Sequence, residues 1–360
     1  MEIKTFTRNQ LRDFVDSAAY AAMQVLPISR QRAYSQMANP RAGEEDVLLI
    51  IAFSEGRMAG YLGLLPDSLL STAGVRSPIS WMSCIWTDPR LRGQGVAKKL
   101  VQTALDVTGN RLLATSYTPA AKKLYDRMGA FADLASMSGT RYYRKAASRP
   151  LLAGRWPTWT HGLLGLADSL ANGASWPLRA FAPRLPADLH WRFAGRLGPE
   201  AAAFVEKHQG RSLLGRTAEE LKWMINHPWL LVAAADEDSR RYHFSSVAQS
   251  FTALLVELRK GDQLMAVLHL VIREGHCKLP HAWLEEGSAP WVAAFVRFLW
   301  HQYDVHTATV YQADILRAMG KGPWFRRPFR REWLISCGAL SSLPHGSFFL
   351  HPGEGDEGFL

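Results

Sequence analysis

The chain has 360 residues, 48% hydrophobic and 21% charged, a balance that excludes a disordered or collagen-like polymer and allows two packed domains of ordinary size. Its net charge of +10 favours anionic partners, yet no dense Lys/Arg run is interleaved with aromatics, so nucleic acid is not an expected partner. Three cysteines without a CxxC spacing argue against a disulfide framework, and no apolar run reaches the about 18 residues of a membrane-spanning helix.

Met1-Glu2-Ile3-Lys4 lacks the basic-then-apolar layout of a secretory leader, so a cytoplasmic location is expected. Residues 3–6 predict a short strand and 9–23 a helix. Residues 27–46 read as a polar loop with turns at Asn39-Pro40 and Ala42-Gly43. Two apolar strands at 48–53 and 58–65, joined by Ser54-Glu55-Gly56-Arg57, form a hairpin, and 80–87 is the next strand. Over 96–108, Ala97, Leu100, Val101, Ala104 and Leu105 share one helical face, and Gly109 is a natural stop. A strand at 112–117 leads to Thr118, a helix cap, and Pro119, suited to a first helical turn that continues to Met128 and stops at Gly129.

Residues 146–187 change texture, with five prolines among scattered Gly and Arg, and read as a linker holding one Leu-faced helix at 161–171. The second half then echoes the first. A hairpin spans 253–271, a strand 278–284, a helix 289–302 and a strand 308–311, and Ile315-Leu316-Arg317-Ala318-Met319-Gly320 parallels Leu124-Tyr125-Asp126-Arg127-Met128-Gly129. The pattern is an internal duplication of one α+β unit. It sets the expected division: 1–145, a linker at 146–187, and 188–360.

Chemistry concentrates at the end of the 80–87 strand. There a glycine-rich turn opens a helix, and the backbone N–H groups of Arg92, Gly93, Gln94, Gly95, Val96 and Ala97 converge with the positive end of its dipole. Gly93 and Gly95 keep side chains out of the way of a phosphate, and Arg90, Lys98 and Lys99 add charge. A diphosphate suits this geometry. The run is neither a Walker loop nor the dinucleotide fingerprint. At the same place the second copy has Leu284-Glu285-Glu286-Gly287-Ser288, whose carboxylates repel a phosphate, and Leu316 replaces Tyr125. The second copy is thus expected to keep the scaffold and lose the site.

The segment from Ile85 to Leu100 resembles motif A of the GNAT superfamily of N-acetyltransferases, whose core is Arg/Gln-x-x-Gly-x-Gly/Ala and here reads Arg92-Gly93-Gln94-Gly95-Val96-Ala97. The segment from Thr118 to Phe131 resembles the motif that follows it, with Thr118 in place of the usual Asn and Gly129-Ala130-Phe131 in place of Gly-Phe. The resemblance is clear over residues 1–145 and weak beyond. It implies an α+β fold of two tandem GNAT-like domains, each a mixed, mostly antiparallel sheet flanked by helices, the first catalytic and the second degenerate.

The resemblance further implies acetyl-CoA, or another acyl-CoA, as co-substrate without a metal, bound between strands 80–87 and 112–117. Backbone groups of Ile85, Trp86 and Thr87 would pair with the pantetheine arm, with Thr118 beside it. An amine would attack the thioester directly, a backbone N–H on the first strand would stabilise the oxyanion, and Tyr125 would be the general acid. The acceptor is expected to be a small molecule, such as an amino sugar, or a glycan precursor, since Asn39-Pro40-Arg41-Ala42 and the C-terminal tail are similar to acyltransferases of bacterial polysaccharide gene clusters. A peptide or protein amine, an acidic acyl carrier protein as donor, and a non-catalytic acyl-CoA-binding scaffold stand as alternatives.

No general base is legible: Glu55, Asp67 and Asp88 read as turn or surface residues, and Cys84 as a buried thiol. His269, His276, Cys277 and His281 match no standard zinc spacing. The tail Glu354-Gly355-Asp356-Glu357 is expected to be a solvated terminus.

Overall fold

The structure, a computed structural model, describes residues 1–71, 73–145, 160–174, 184–320 and 325–359. Strand β1 (Glu2–Thr7) pairs with β2 (Val47–Ser54), which turns through Glu55-Gly56 into β3 (Arg57–Leu70) and then β4 (Arg76–Thr87). The hairpin lies where the sequence placed it. The helix expected over 9–23 is two helices, α1 (Arg8–Val15) and α2 (Ala18–Ala21). Ser17 divides them: its Oγ accepts the Tyr20 N–H at 3.1 Å and its hydroxyl donates to the Phe14 carbonyl at 2.7 Å, a cap that starts a new helix.

The polar loop expected over 27–46 contains a third helix, α3 (Arg30–Met37), started by the Ser29 side chain. Its buried face carries Arg32, Ser35 and Gln36 beside Ala33 and Met37, so no apolar stripe marks it in the sequence. Helix α4 (Val96–Val107) buries the expected face against β2, β3 and β4. Strand β5 (Leu112–Thr115) is shorter than expected, because Ser116 turns out of the extended region at φ 53°. Helix α5 (Pro119–Met128) starts on Thr118 and ends at Gly129 with φ 64°, and β6 (Phe131–Tyr143) follows.

The helix expected at 161–171 is α6 (Thr160–Ala174); residues 146–159 and 175–183 of the expected linker lie outside the described residues. After β7 (Leu189–Phe193), the helices α7 (Pro199–Lys207) and α8 (Ala218–Asn226) lead to β8 (Leu231–Val232), which α9 (Glu237–Arg241) separates in sequence from its two-residue parallel partner β9 (Val247–Ala248). The second unit then runs β10 (Phe251–Lys260), β11 (Gln263–Arg273), β12 (His276–Leu284), α10 (Ala289–Gln302), β13 (Thr307–Val310), α11 (Ala313–Met319) and β14 (Phe325–Ser336).

Twelve strands form one sheet in the order β1-β2-β3-β4-β5-β14-β6-β13-β12-β11-β10-β7. Read from either edge inward the order is equivalent, except that the last strand of each half is lent to the other. Leu113, Ala114 and Thr115 of β5 pair with Ile335, Leu334 and Trp333 of β14. Reciprocally, residues 140–143 of β6 pair with 310–307 of β13, and β6 and β14 pair with each other along their length. Only a glycine fits where β6 crosses Tyr311: a Cβ at Gly139 would lie 2.5 Å from that ring. One apolar cluster packs under α4 and α5, a second under α10 and α11. A third joins the halves through Trp81, Trp229, Trp283, Trp333 and Phe359.

Candidate active site

Strand β4 pairs in parallel with β5 only at Ser80 and Trp81, so residues 82–87 leave β5 and expose a backbone edge. Within that free stretch the ladder to β3 shifts register between Tyr61 and Gly63, and Cys84 takes φ 56°. This is a β-bulge, a device that re-aims a strand locally. Ile85 and Thr87 are half-buried on the same stretch, whereas the Trp86 indole is packed away on the His243 ring at 4.5 Å.

The chain next makes a 3-10 turn at Pro89–Leu91 and enters α4 through Arg92, Gly93, Gln94 and Gly95. Gly93 and Gly95 have φ 83° and 80°, conformations that only glycine holds without strain. Gly95 is the N-cap and no side chain caps the helix, so the first donors of α4 are not taken by the protein itself. Two expected donors of the turn are taken: the Arg92 N–H donates to the Pro89 carbonyl at 3.4 Å and the Gln94 N–H to the Leu91 carbonyl at 3.2 Å, because the chain tightens there into successive turns. Residues 92–95 are exposed, and open space lies above both glycines. Lys98 and Lys99 are exposed beside them. Arg90 does not join: Asp88 holds its guanidinium through both carboxylate oxygens, Nη2–Oδ2 2.6 Å, and that bond draws the Asp88 pKa down to about 2. An acidic residue expected in a turn is thus the residue that removes one cation from the loop.

Tyr125 projects from α5 into the splay between β4 and β5. Its ring is 3% exposed, edge-on to Tyr117 and packed on Phe131, and burial pushes its pKa up to about 12. Among the described residues its hydroxyl has no hydrogen-bond partner, and it lines a cavity of about 300 Å³ with Met82, Cys84, Thr115, Arg32 and Asp356. Thr118 reaches the same cavity, but its hydroxyl oxygen accepts the Ala121 N–H at 3.2 Å as the cap of α5.

The C-terminal tail is not solvated. The 3-10 helix Gly355–Phe359 packs against β4 and β12, with Glu354 fully buried and Phe359 1% exposed on the Trp229 ring. Glu354 receives Arg216, which also binds Asp67 (2.8 Å) and Glu220 (3.0 Å); Arg41 donates to the same two acids. Asp67, expected at the surface, is therefore a member of a buried ion network tying the N-terminal half, α8 and the tail together. This network delivers Asp356 to the cavity. Ser83 donates to its Oδ2 at 2.7 Å while Arg32 donates to Ser83. Burial and the neighbouring Glu357 raise the Asp356 pKa against the pull of Arg32. Burial also raises that of the Cys84 thiol, which keeps it protonated and a poor nucleophile. Nothing in the periodicity of the tail marks Asp356; its acidic composition points the other way.

In the second half, Glu285 of the corresponding loop meets Lys207 at 3.3 Å and His208 at 3.2 Å, leaving carboxylates where the first half has glycines. Leu316 packs beside the apolar cluster under α10 and α11. His269 and His281 face each other at 3.1 Å, while His276 turns to Thr307 and Cys277 is buried apart, so the four do not converge. Among the described residues no group of three or more His, Cys, Asp or Glu could hold a metal ion.

Residues 14–130 match the sequence model of the acetyltransferase (GNAT) family. No curated protein matches the chain. Among solved structures, a tandem GNAT protein from the clavulanic acid biosynthesis pathway is similar over 93% of this chain and 98% of its own, with TM-score 0.50 and 16% identity. A probable N-acyltransferase from Enterococcus faecalis is similar over 93% of this chain and 72% of its own, TM-score 0.52 and 11% identity. An N-acetyltransferase of the same family from Anabaena variabilis is similar over 94% and 74%, TM-score 0.50 and 13% identity. At these identities the likeness is one of fold, and it extends through both halves.

Proposed function

We propose, from the match of residues 14–130 to the acetyltransferase (GNAT) family, that the protein is an acyl-CoA-dependent N-acyltransferase with one working cofactor site. The observation that carries the reading is a cavity that brings Tyr125 and Asp356 against the free edge of β4 at Met82 to Ile85. The same strand runs on through Trp86 and Thr87 to the uncapped start of α4. The residues fit coenzyme A: the N–H groups of Gly93, Gly95, Val96 and Ala97 would hold its diphosphate, and the edge at Ile85, Trp86 and Thr87 would hold its amide-bearing arm. Acetyl-CoA supplies an acyl group activated as a thioester.

The chain's own residues then divide the proton work. Asp356, oriented by Ser83 and Arg32, accepts the proton that the amine loses as its C–N bond forms. Its raised pKa makes it a stronger base than Glu357, which Lys278 and Arg331 hold at about 2 against the opposing effect of burial. Tyr125 delivers a proton to the sulfur as the C–S bond breaks. The bulged edge at Cys84 offers backbone donors to a carbonyl oxygen. A carboxylate in the cavity removes the main reason for a non-catalytic scaffold, which was the lack of a base.

The division into 1–145 and 188–360 belongs to this proposal as a division of labour, the first half holding the donor and the second walling the acceptor cleft. The acceptor is an amine, with an amino sugar or glycan precursor first. No described helix is long and apolar enough to cross a membrane. Thiol release from acetyl-CoA, measured with and without a panel of amines, tests the reading. Release that depends on the amine supports it, and release that is absent or indifferent to the amine refutes it.

A further inference from the structure

Beside the cofactor groove lies a larger cavity, about 560 Å³, in the splay between β12 and β13. The two share Ser116, Tyr117 and Glu357 as lining residues, so they meet at one wall. The volume matches a monosaccharide- to nucleotide-sized ligand. Its lining is unbalanced in charge: Arg141, Lys278, Arg330 and Arg331 against Glu332 and Glu357. Lys278 and Arg331 both bind Glu357 at 2.9 Å, and Arg330 lies 3.2 Å from Glu332. Arg141 has no carboxylate partner among the described residues. Its guanidinium lies 4.3 Å over the Phe329 ring and its Nε donates to Thr309 at 3.1 Å, which fixes the fork and leaves its terminal nitrogens free of protein anions.

We propose that this cavity is the acceptor site and that its ligand is an amine carrying a carboxylate or phosphate, bound by Arg141. The inference rests on the transferase reading and deepens it. A guanidinium held flat against an aromatic ring presents paired donors to a planar carboxylate or to phosphate oxygens, which a lysine would not do as well. With the anionic end on Arg141, the amine end would lie toward the wall of Ser116, Tyr117 and Glu357 that the cavity shares with the groove of Tyr125 and Asp356. The lost cofactor site of the second half thereby becomes the place where the acceptor sits.

The test compares matched acceptors on the full chain: glucosamine 6-phosphate against glucosamine, and glutamate against glutamine. The wild-type protein should favour the member with the extra anionic group in at least one pair, and which pair shows it separates phosphate from carboxylate. Arg141→Gln should raise KM for that member by about tenfold to a hundredfold, with KM for acetyl-CoA unchanged and partial recovery in Arg141→Lys. Acetylation of both members with equal kcat/KM in the wild type overturns the anion assignment and leaves the transferase reading standing. Unchanged preference in a folded Arg141→Gln overturns the role of Arg141. No acetylation of any amine overturns both.

Discussion

Tyr125 stays protonated throughout the neutral range because burial lifts its pKa to about 12, while Asp356 has to be ionised to work. The two therefore respond differently to substitution. Tyr125→Phe keeps the ring packing against Tyr117 and Phe131 and should lower kcat by about 10²-fold at every pH, with acetyl-CoA binding intact. Asp356→Asn should lose a comparable factor and also abolish the acidic limb of the kcat/KM profile. The sign follows from the raised pKa: the base form appears only as pH climbs through it, so activity rises across that range. The same shift means that Asp356 stabilises the fold below its ordinary value of 3.8 and loses that contribution as pH rises through its folded value. At neutral pH, Asp356→Asn should then unfold at the same temperature as the wild type or higher. An acidic limb that survives the substitution contradicts the assignment.

The tail's placement depends on elements far apart in sequence. Arg216, just ahead of α8, neutralises Glu354, Asp67 and Glu220 where none of the four is more than 3% exposed. Arg216→Gln leaves three buried carboxylates short of a cation and should cost about 3–5 kcal/mol in denaturant unfolding. A loss below about 1 kcal/mol, the range of an exposed pair, would show that the network does not hold the tail. Glu357 adds an acid-sensitive lock. Its contribution is complete above its ordinary value of 4.5 and is lost as pH falls through about 2, so the tail should loosen within that window. What the sequence revealed follows the same division. The 48–65 hairpin, α4, α5 and α10 were legible because turn residues, caps and an apolar stripe lie within one short segment. The donors of Gly93, Gly95, Val96 and Ala97 and the phenol of Tyr125 were legible for the same reason, whereas the turn bonds that occupy the Arg92 and Gln94 N–H groups were not. Helix α3 was not, since Arg32, Ser35 and Gln36 occupy its buried face. Asp356 was not, because its burial comes from Ser83, Arg32 and the Glu354–Arg216 anchor rather than from its neighbours in the chain.

At the scale of the molecule, the exchanged strands make each half incomplete without the other. The periodicity of β6 and β14 shows that they are strands but carries no record of their partner, so the expected pair of tandem units appears as one twelve-stranded sheet. Residues 1–145 alone would leave β5 without β14 and β6 without either of its neighbours. That fragment should be unfolded or aggregated by circular dichroism and amide NMR, and co-expression with 146–360 should restore a folded complex. A dispersed spectrum and acetyl-CoA binding from 1–145 alone would contradict this account of the exchange.

The grip of the α4 amides on a diphosphate can be measured directly by calorimetric titration of acetyl-CoA into the full chain, wild type beside Gly95→Asp. That substitution places a carboxylate at the helix start, where a Cβ meets nothing within 4 Å, so the change is mainly one of charge and of backbone strain at φ 80°. Saturable binding by the wild type, weakened by about tenfold or more in a folded variant, is the expected result. No heat with the wild type, or equal affinity in the two proteins, would contradict it.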